Sequence, residues 1–251
     1  MHSVGSMTPR WTDIALHIGR LSIGIAGLAI SAHASCTAGM IAMSVALFLA
    51  AFALNHDLAH NALVLPPRAN ELALAMAGGV MLMSGHAIRA THLRHHLHPL
   101  AVDDAEGAAA RMSFTRALFT APAQAMATRC AGYQFAIRRD RSWQRVETMA
   151  TLTITMGLLA TGLRPLAVFV LVALTAQITM PVWAAHIPHN APEWLVGIAR
   201  ILTFTRSPTV LSLAYHELHH ARPRVPCRRL HDEFENRATR ADAHTSEGTC
   251  S

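Results

Sequence analysis

Residues 21–54 read LSIGIAGLAISAHASCTAGMIAMSVALFLAAFAL, a stretch without aspartate, glutamate, lysine or arginine. A single helix over this stretch would be about 50 Å long at about 1.5 Å per residue. The hydrocarbon core of a bilayer, by contrast, is about 30 Å thick. The stretch therefore predicts a hairpin of two membrane-spanning helices, at about residues 14–33 and 37–54, with a tight turn at residues 33–37.

The composition of the whole chain favours a membrane protein. Of the 251 residues, 52% are hydrophobic and 14% are charged, whereas soluble domains average about 25% charged residues. All 21 basic residues are arginine, and the formal net charge is +6. A positive charge can indicate nucleic-acid binding, but the sequence contains none of the known nucleic-acid-binding motifs. We therefore expect the bilayer, and no nucleic acid, to be the partner of these arginines.

A second apolar pair follows at about residues 147–162 and 165–185. Gly162 and Pro165 lie at the break, and glycine followed closely by proline is typical of one helix ending and another beginning. The apolar stretch at residues 72–83 is too short to cross a bilayer easily, so we expect it to be interfacial or re-entrant. These patterns predict an all-α integral membrane protein with four transmembrane helices arranged as two hairpins.

The distribution of arginine predicts the orientation in the membrane. Nine arginines lie in residues 86–145 and eight in residues 200–240, whereas the two predicted outer turns contain Arg164 alone. Because basic residues collect in cytoplasmic loops, both termini and the polar segments are predicted on the cytoplasmic side. The arginine-rich segment at about residues 122–143 is expected to form a helix on the membrane surface.

Histidines in short clusters carry the chemical signal of the sequence. The chain contains 17 histidines, and three clusters have the spacings HxxxH, HxxHH and HxxHH. Positions i, i+3 and i+4 share one face of a helix, so each cluster presents two or three imidazoles in one direction. The clustered residues, with the pair that ends the last predicted span, are His56 and His60; His92, His95 and His96; His186 and His189; His216, His219 and His220.

These histidines are numerous enough to surround two metal ions. Neutral imidazole is a ligand for iron, copper, nickel and zinc, and carboxylates are too scarce nearby for a carboxylate-bridged site of the ferritin kind. In the four-span topology all the groups emerge on the cytoplasmic face, whereas a crossing at residues 72–83 would separate the first cluster from the second. The remaining histidines are interpreted as ordinary polar residues (His2, His17, His33, His231 and His244) or as candidates for supporting a cluster (His86 and His98).

The order of the clusters resembles the membrane fatty acid desaturase superfamily, which also includes alkane hydroxylases and carotenoid ketolases and hydroxylases. Tyr215-His-Glu-Leu-His-His220, followed by Pro223-Arg-Val-Pro226 and Leu230, is similar to the family pattern YHxxHH…PxVPxxxL. Asn55-His-Asp-Leu-Ala-His60 is similar to the first box of the family. We predict a membrane domain of this type over residues 1–232, followed by a polar, mobile tail at residues 233–251.

The resemblance implies a non-haem di-iron centre that uses molecular oxygen and two electrons to remove hydrogen from an unactivated methylene group. By residue match, the iron ligands are expected to be His56, His60, His92, His95, His96, His216, His219 and His220, with His186 or His189 added. Asp57, Asp103 and Glu217 are candidates for orienting an imidazole through its other N–H. No catalytic residue is expected beyond the metal centre. The sequence has no HPGG haem motif, so the electrons are expected from a separate carrier of the ferredoxin or cytochrome b5 type.

The function implied by the resemblance is oxygen-dependent desaturation of a fatty acyl or related lipid chain. A carotenoid ketolase or hydroxylase and an alkyl hydroxylase are the alternatives within the superfamily. A membrane metal transporter is the alternative outside it. Transporters place ionisable groups near the middle of their spans, so clusters at the span ends disfavour transport.

Overall fold

The computed structural model describes residues 10–247 and, for residues 238 and 240–247, the backbone alone. The described chain is all-helical and divides into two compact units, Met1–Asn190 and Ala191–Ser251. The helices of the first unit are α1 (Trp11–His33), α2 (Thr37–Ala59), α3 (Pro67–Val80), α4 (Gly85–Leu97), α5 (Phe114–Phe135), α6 (Arg138–Ala160), α7 (Arg164–Met180), a π-helix (Pro181–His186) and α8 (Ile187–Asn190), with a short 3₁₀-helix at Ala109–Arg111.

The helices α1 and α2 form the predicted first hairpin. They approach closely where a glycine faces a leucine, since a Cβ atom on Gly24 would lie 3.0 Å from the Cβ of Leu47. The turn between them places Ser35 in the left-handed region, with φ at 52°. The structure confirms the hairpin, and α2 continues to Ala59, so that the first histidine cluster occupies its last turns.

The short apolar stretch at residues 72–83 lies mainly in α3, which a tight turn joins to α4. The axes of the two helices differ by 105°, so the pair is either one broken span or a re-entrant loop. Glycine is required at this turn because a Cβ atom on Gly85 would lie 2.2 Å from the carbonyl oxygen of Leu74. A Cβ atom on Gly78 would likewise lie 2.4 Å from the backbone nitrogen of Gly85.

The predicted surface helix at residues 122–143 is wrong as a single element. Ala136 and Ile137 have extended backbone, with ψ at 137° and 162°, and they separate the end of α5 from the start of α6. The predicted span at residues 147–162 is the second half of α6, and that helix contains four arginines within residues 138–145.

Three helices of the described chain are long and apolar enough to cross a membrane, namely Trp11–His33, Thr37–Ala59 and Arg164–Asn190. The bent α3–α4 pair makes a fourth if it is counted as one span. The predicted span at residues 147–162 is not among them, because the charged first turns of α6 lower its apolar character. The protein is therefore an all-helical membrane protein with three or four candidate spans, and the side on which each terminus lies stays a prediction.

Close packing between α2, α7 and the α3–α4 turn forms the largest core of the first unit. Phe48 and Ala51 of α2 meet Val170 and Ala173 of α7 and Met81 of the turn, and all five are buried. Because lipid tails are as apolar as these side chains, tight van der Waals packing holds such helices together in a membrane.

The second unit consists of shorter helices around a core of its own, which includes Leu211, Tyr215, Cys227 and Leu230. Its helices are α9 (Glu193–Ile201), α10 (Pro208–Ala214), α11 (His216–Ala221) and α12 (Leu230–Glu247), with 3₁₀-helices at Leu202–Thr205 and Cys227–Arg229. The predicted domain boundary after residue 232 falls inside α12. The mobility predicted for the residues beyond that boundary stays a prediction.

Candidate metal centre

The first and second histidine clusters meet where α2 and α4 lie side by side. The ring centroids of His56 and His92 are 4.7 Å apart, and those of His60 and His92 are 4.8 Å apart. The ring of His96 lies 4.4 Å from that of His60. One ligand nitrogen from each of His56, His60 and His92 lies within 4.8 Å of the others. The structure thus brings together imidazoles from two separate helices, as the sequence predicts.

The helical spacing of the second cluster divides its imidazoles between two directions. His92 and His96 are four residues apart, share a face of α4 and point towards α2. His95 lies off that face and meets α8 instead. The helix begins about two turns before the cluster, where the Ser84 hydroxyl accepts a hydrogen bond from a backbone N–H of the first turn at 3.0 Å, a typical N-cap.

A carboxylate lies beside the Nδ1 atom of two of these imidazoles, those of His92 and His95. The Nδ1 atom of His92 lies 2.6 Å from Glu106, and the Nδ1 atom of His95 lies 2.7 Å from Asp104. An ionised carboxylate can only accept a hydrogen bond, so beside Asp104 the Nδ1 of His95 carries the proton and its Nε2 keeps its lone pair, and the same holds for His92 when Glu106 is ionised. This arrangement fixes the ring orientation and tautomer that metal-binding histidines need. Asp57 is also near a ligand candidate, with a carboxylate oxygen 3.6 Å from the Nδ1 of His56.

The loop after α4 supplies two carboxylates that sequence reasoning missed. The sequence points to Asp103, but in the structure Asp103 pairs with Arg94 at the surface. The adjacent Asp104 is buried and also accepts hydrogen bonds from the backbone N–H groups of Leu100 and Gly107, each at 3.0 Å. The paired acids after the second cluster were the available signal, although the spacing did not show which one faces inward. Glu217, the third predicted support, is exposed.

The two loop carboxylates differ in their electrostatic environment. Burial raises the pKa of Glu106 to about 7. Burial also acts to raise the pKa of Asp104, but hydrogen bonds from His95 and from backbone N–H groups outweigh it and hold that pKa below its usual range. Asp104 is therefore a firmly ionised partner for its histidine.

His186 and His189 lie at the end of the last span, where a π-helix joins α7 to α8. The π-helix Pro181–His186 widens the turn before α8, and such segments occur frequently at functional sites. The Nε2 atom of His189 lies 3.0 Å from the Nε2 atom of His95. His186 is buried, and its Nδ1 atom lies 2.9 Å from the carbonyl oxygen of Ala109. The structure therefore places His189, and not His186, beside a predicted ligand.

The third cluster lies on α11 in the second unit. The ring centroids of His216 and His220 are 4.6 Å apart, and those of His219 and His220 are 5.8 Å apart. The hydroxyl of Tyr215 lies 2.7 Å from the Nδ1 atom of His231. His231 thus contacts Tyr215, the residue that precedes the cluster. The sequence pattern had indicated only an ordinary polar residue at this position.

The histidines outside the clusters have several environments. His33 and His98 are exposed. His17 is buried, contrary to expectation, and its Nε2 atom lies 3.0 Å from a carboxylate oxygen of Asp57. His2 lies outside the described residues, as does the side chain of His244.

A buried ionic network fixes α4 against α3 and α6. The ring nitrogens of His86, which is 0% exposed, lie 2.8 Å from Glu71 and 2.6 Å from Glu147. Arg89 pairs with Glu71 and with Asp140, each at 2.9 Å. Breaking one partner of a buried ionic network is strongly destabilising, because it leaves an uncompensated charge. The network therefore holds the helix that carries the second histidine cluster.

A cavity of about 710 Å³ opens beside the first two clusters. His56 and His92 form part of its wall, and the remaining wall comes mainly from α5, α6 and α7. The hydroxyls of Thr151 and Thr155 bond to carbonyl oxygens of their own helix, at 3.1 Å and 2.7 Å, and so use up their donors. The volume is that of a small-molecule site.

The donor set fits a transition metal ion. His56, His60 and His92 offer converging nitrogens, and neutral imidazole is a ligand that iron, copper and zinc accept. The carboxylate beside the Nδ1 atom of His92 leaves its Nε2 atom as the donor. The described part of the chain therefore contains a histidine group that can hold a metal ion.

Comparison with known proteins identifies the family of the chain. No curated protein and no solved structure matches it. The family model described as Fatty acid desaturase matches residues 34–247, a range that includes all three histidine clusters. Because this match covers most of the chain, the protein is a member of the fatty acid desaturase family, whose activity is that of an oxidoreductase.

Proposed function

We propose that the protein catalyses oxygen-dependent desaturation of a fatty acyl or related lipid chain at a histidine-ligated di-iron centre. One observation carries the proposal. His56 and His92 belong both to the converging imidazole group and to the wall of the cavity of about 710 Å³. A metal ion held by these residues would adjoin whatever occupies the cavity. The family supplies the class of chemistry.

The division of the second cluster supports two iron positions. His92 and His96 join the histidines of α2, whereas His95 joins His189. On the sequence pattern alone, we add the third cluster, His216, His219 and His220, to complete the ligand set. We leave out His186 because His189 is the histidine of this pair that lies beside His95, at 3.0 Å between their Nε2 atoms. When bound, a di-iron centre supplies the oxidant that removes hydrogen from an unactivated C–H bond.

The reaction consumes molecular oxygen as a co-substrate. One oxygen molecule, two electrons and two protons convert a pair of adjacent methylene groups into an alkene and two water molecules. The two electrons come from a separate carrier of the ferredoxin or cytochrome b5 type. The oxygen atoms leave as water, so the product differs from the substrate by two hydrogens.

The residues of the chain orient the ligands and exclude water. Glu106 and Asp104 hold the Nδ1–H groups of their histidines, so the Nε2 lone pairs face inward. Apolar wall residues such as Phe52, Leu82 and Ile88 suit the hydrocarbon part of a lipid. In the bilayer, we place the centre and both termini on the cytoplasmic side, as the arginine distribution predicts.

Product analysis tests this function. The full-length protein, in membranes with an electron-donor system and oxygen, would be given a lipid extract and, separately, a carotenoid. Mass spectrometry of a lipid product that has lost two hydrogens would support desaturation. A product that has gained one oxygen would instead identify a hydroxylase, and a keto product from the carotenoid would identify a ketolase.

A matched pair of variants shows whether the histidine clusters are responsible. We expect His95→Ala to abolish product formation and lower the iron content, because it removes a ligand. His98→Ala, three positions along the chain and exposed, should retain both. Full activity in His95→Ala would contradict the ligand assignment. Exchangeable zinc without any oxidised product would favour a metal-handling protein.

A further inference from the structure

The wall of the cavity beside the histidines contains one arginine, Arg129 of α5. Its Nη2 group donates a hydrogen bond to the side-chain oxygen of Gln177 on α7. Gln177 is 4% exposed, and its amide nitrogen donates to the carbonyl oxygens of Met81 and Leu82, at 2.7 Å and 3.2 Å. The guanidinium group of Arg129 is therefore hydrogen-bonded to Gln177, a buried residue of the cavity wall that two backbone carbonyl groups hold in place.

The charge of Arg129 is not balanced by an acid. Among the side chains that the structure describes, no carboxylate forms an ion pair with it, in contrast to Arg89, which pairs with both Glu71 and Asp140. Arg129 is itself exposed, and its guanidinium group remains charged at neutral pH. The bond to Gln177 uses one of its five donors. A charged group with unused donors in the wall of a cavity is a binding group for an anion.

Several other polar groups of the wall have partners within the protein, including the carboxylate of Glu106, which lies 2.6 Å from the Nδ1 atom of His92. The amide nitrogen of Gln144 donates to the carbonyl oxygen of Gly132 at 3.0 Å, and the Thr128 hydroxyl donates to that of Ala105 at 3.2 Å. The Ser84 hydroxyl donates to Glu147. These donors have little capacity left for a ligand, so this part of the wall suits hydrocarbon.

A second cation lies near the same part of the wall. The hydroxyl of Tyr133, also a wall residue, accepts hydrogen bonds from Arg145 at 3.0 Å and 2.7 Å. Tyr133 lies one helical turn after Arg129 on α5. Two arginines, Arg129 of α5 and Arg145 of α6, therefore lie at or beside this part of the cavity wall.

We propose that the cavity selects a single-chain amphiphile with a free carboxylate, which Arg129 binds while the hydrocarbon chain extends past His56 and His92. The substrate is then a free fatty acid and not a neutral ester or alcohol. This inference rests on the proposed function, because it takes the cavity to be the substrate site. A planar guanidinium group matches a carboxylate with two parallel hydrogen bonds. A lipid phosphate shares this chemistry, so the test includes one.

Equilibrium binding to the purified full-length protein in detergent tests the head-group preference. Palmitate and hexadecanol carry the same chain and differ in charge. We expect palmitate to bind about tenfold more tightly, because a hydrogen bond to a charged group is worth about that factor. The R129Q variant should lose this preference and still bind hexadecanol as the wild type does, whereas R129K should keep most of it. Arg116 is also exposed and lies on the same helix, but outside the cavity wall, so the R116Q variant should match the wild type.

Three outcomes would overturn the proposal. Equal binding of palmitate and hexadecanol by the wild type would remove the need for an anion site. An equal loss of both ligands in R129Q would show that Arg129 acts through packing. Stronger binding of single-chain lysophosphatidic acid than of palmitate would assign the site to a phosphate.

The binding measurement needs no iron, oxygen or electron donor, so it can fail while the product analysis succeeds. An oxidised ester product formed without palmitate preference would leave the proposed oxidase standing and contradict the free-acid assignment. Tight, Arg129-dependent palmitate binding without any oxidised product would support the head-group site and count against the oxidase.

Discussion

The Nε2 atoms of His95 and His189 lie 3.0 Å apart, although 94 residues separate them in the chain. His95 is held from behind by Asp104, at 2.7 Å from its Nδ1 atom. His189 reaches the same place because the π-helix Pro181–His186 changes the course of the last span before α8. The pair is the point at which the end of that span joins the second histidine cluster.

Removal of the His189 imidazole should therefore affect metal binding more than a change at His186. We expect His189→Ala to lower the bound iron by about half, because one of two metal positions loses a ligand. His186→Gln, which keeps a polar group near the carbonyl oxygen of Ala109, should retain nearly all of it. Metal analysis of the two purified variants checks the assignment. The reverse order of iron loss would return the ninth-ligand role to His186.

Glu106 should matter for metal affinity although sequence reasoning passed over it. We expect Glu106→Gln to weaken iron binding by about 10- to 100-fold, the usual effect of losing a carboxylate behind a ligating histidine. Asp103→Asn is the control, since Asp103 pairs with Arg94 at the surface. Competition with a chelator measures both variants. Equal affinities in the two would show that Glu106 does not orient His92.

The turn between α3 and α4 should not tolerate a side chain at Gly85. A Cβ atom there would lie 2.2 Å from the carbonyl oxygen of Leu74, and overpacking of this kind typically costs about 1–3 kcal/mol or more. Gly79→Ala is a matched control, because a Cβ atom at that position meets nothing within 4 Å. We expect thermal unfolding in detergent to show a lower Tm for Gly85→Ala and an unchanged or higher Tm for Gly79→Ala. A Gly85→Ala protein as stable as the control would contradict the close approach.

The orientation of the spans can be tested with a membrane-impermeant thiol reagent. We expect Asn61→Cys and Leu97→Cys, at exposed positions before α3 and at the end of α4, to be labelled from the same side of the membrane. The native Cys36, exposed in the α1–α2 turn, should be labelled from the other side. The remaining cysteines would be replaced by serine beforehand. Labelling of residues 61 and 97 from opposite sides would mean that the α3–α4 pair crosses the bilayer.

The features that sequence reasoning predicted well are local ones. The first hairpin follows from the length of an uncharged apolar stretch compared with the thickness of a bilayer. The shared directions of His56 with His60 and of His92 with His96 follow from helical periodicity. The single surface helix at residues 122–143 was predicted wrongly, because no composition signal marks the extended backbone at Ala136 and Ile137. The sequence pattern predicted a helix at about residues 147–162. In the structure α6 begins at Arg138, because the polar residues before the apolar stretch belong to the same helix.

By itself, the sequence determined the membrane character of the chain, the helices that carry the histidine clusters and the family to which it belongs, because apolar length and residue spacing are properties of the chain alone. The tertiary structure decided which acids hold the imidazoles, which histidine of the last span lies beside His95, and which arginine faces the cavity. Those relationships depend on distances between helices, and the directions of side chains across such distances are set by packing and not by spacing along the chain.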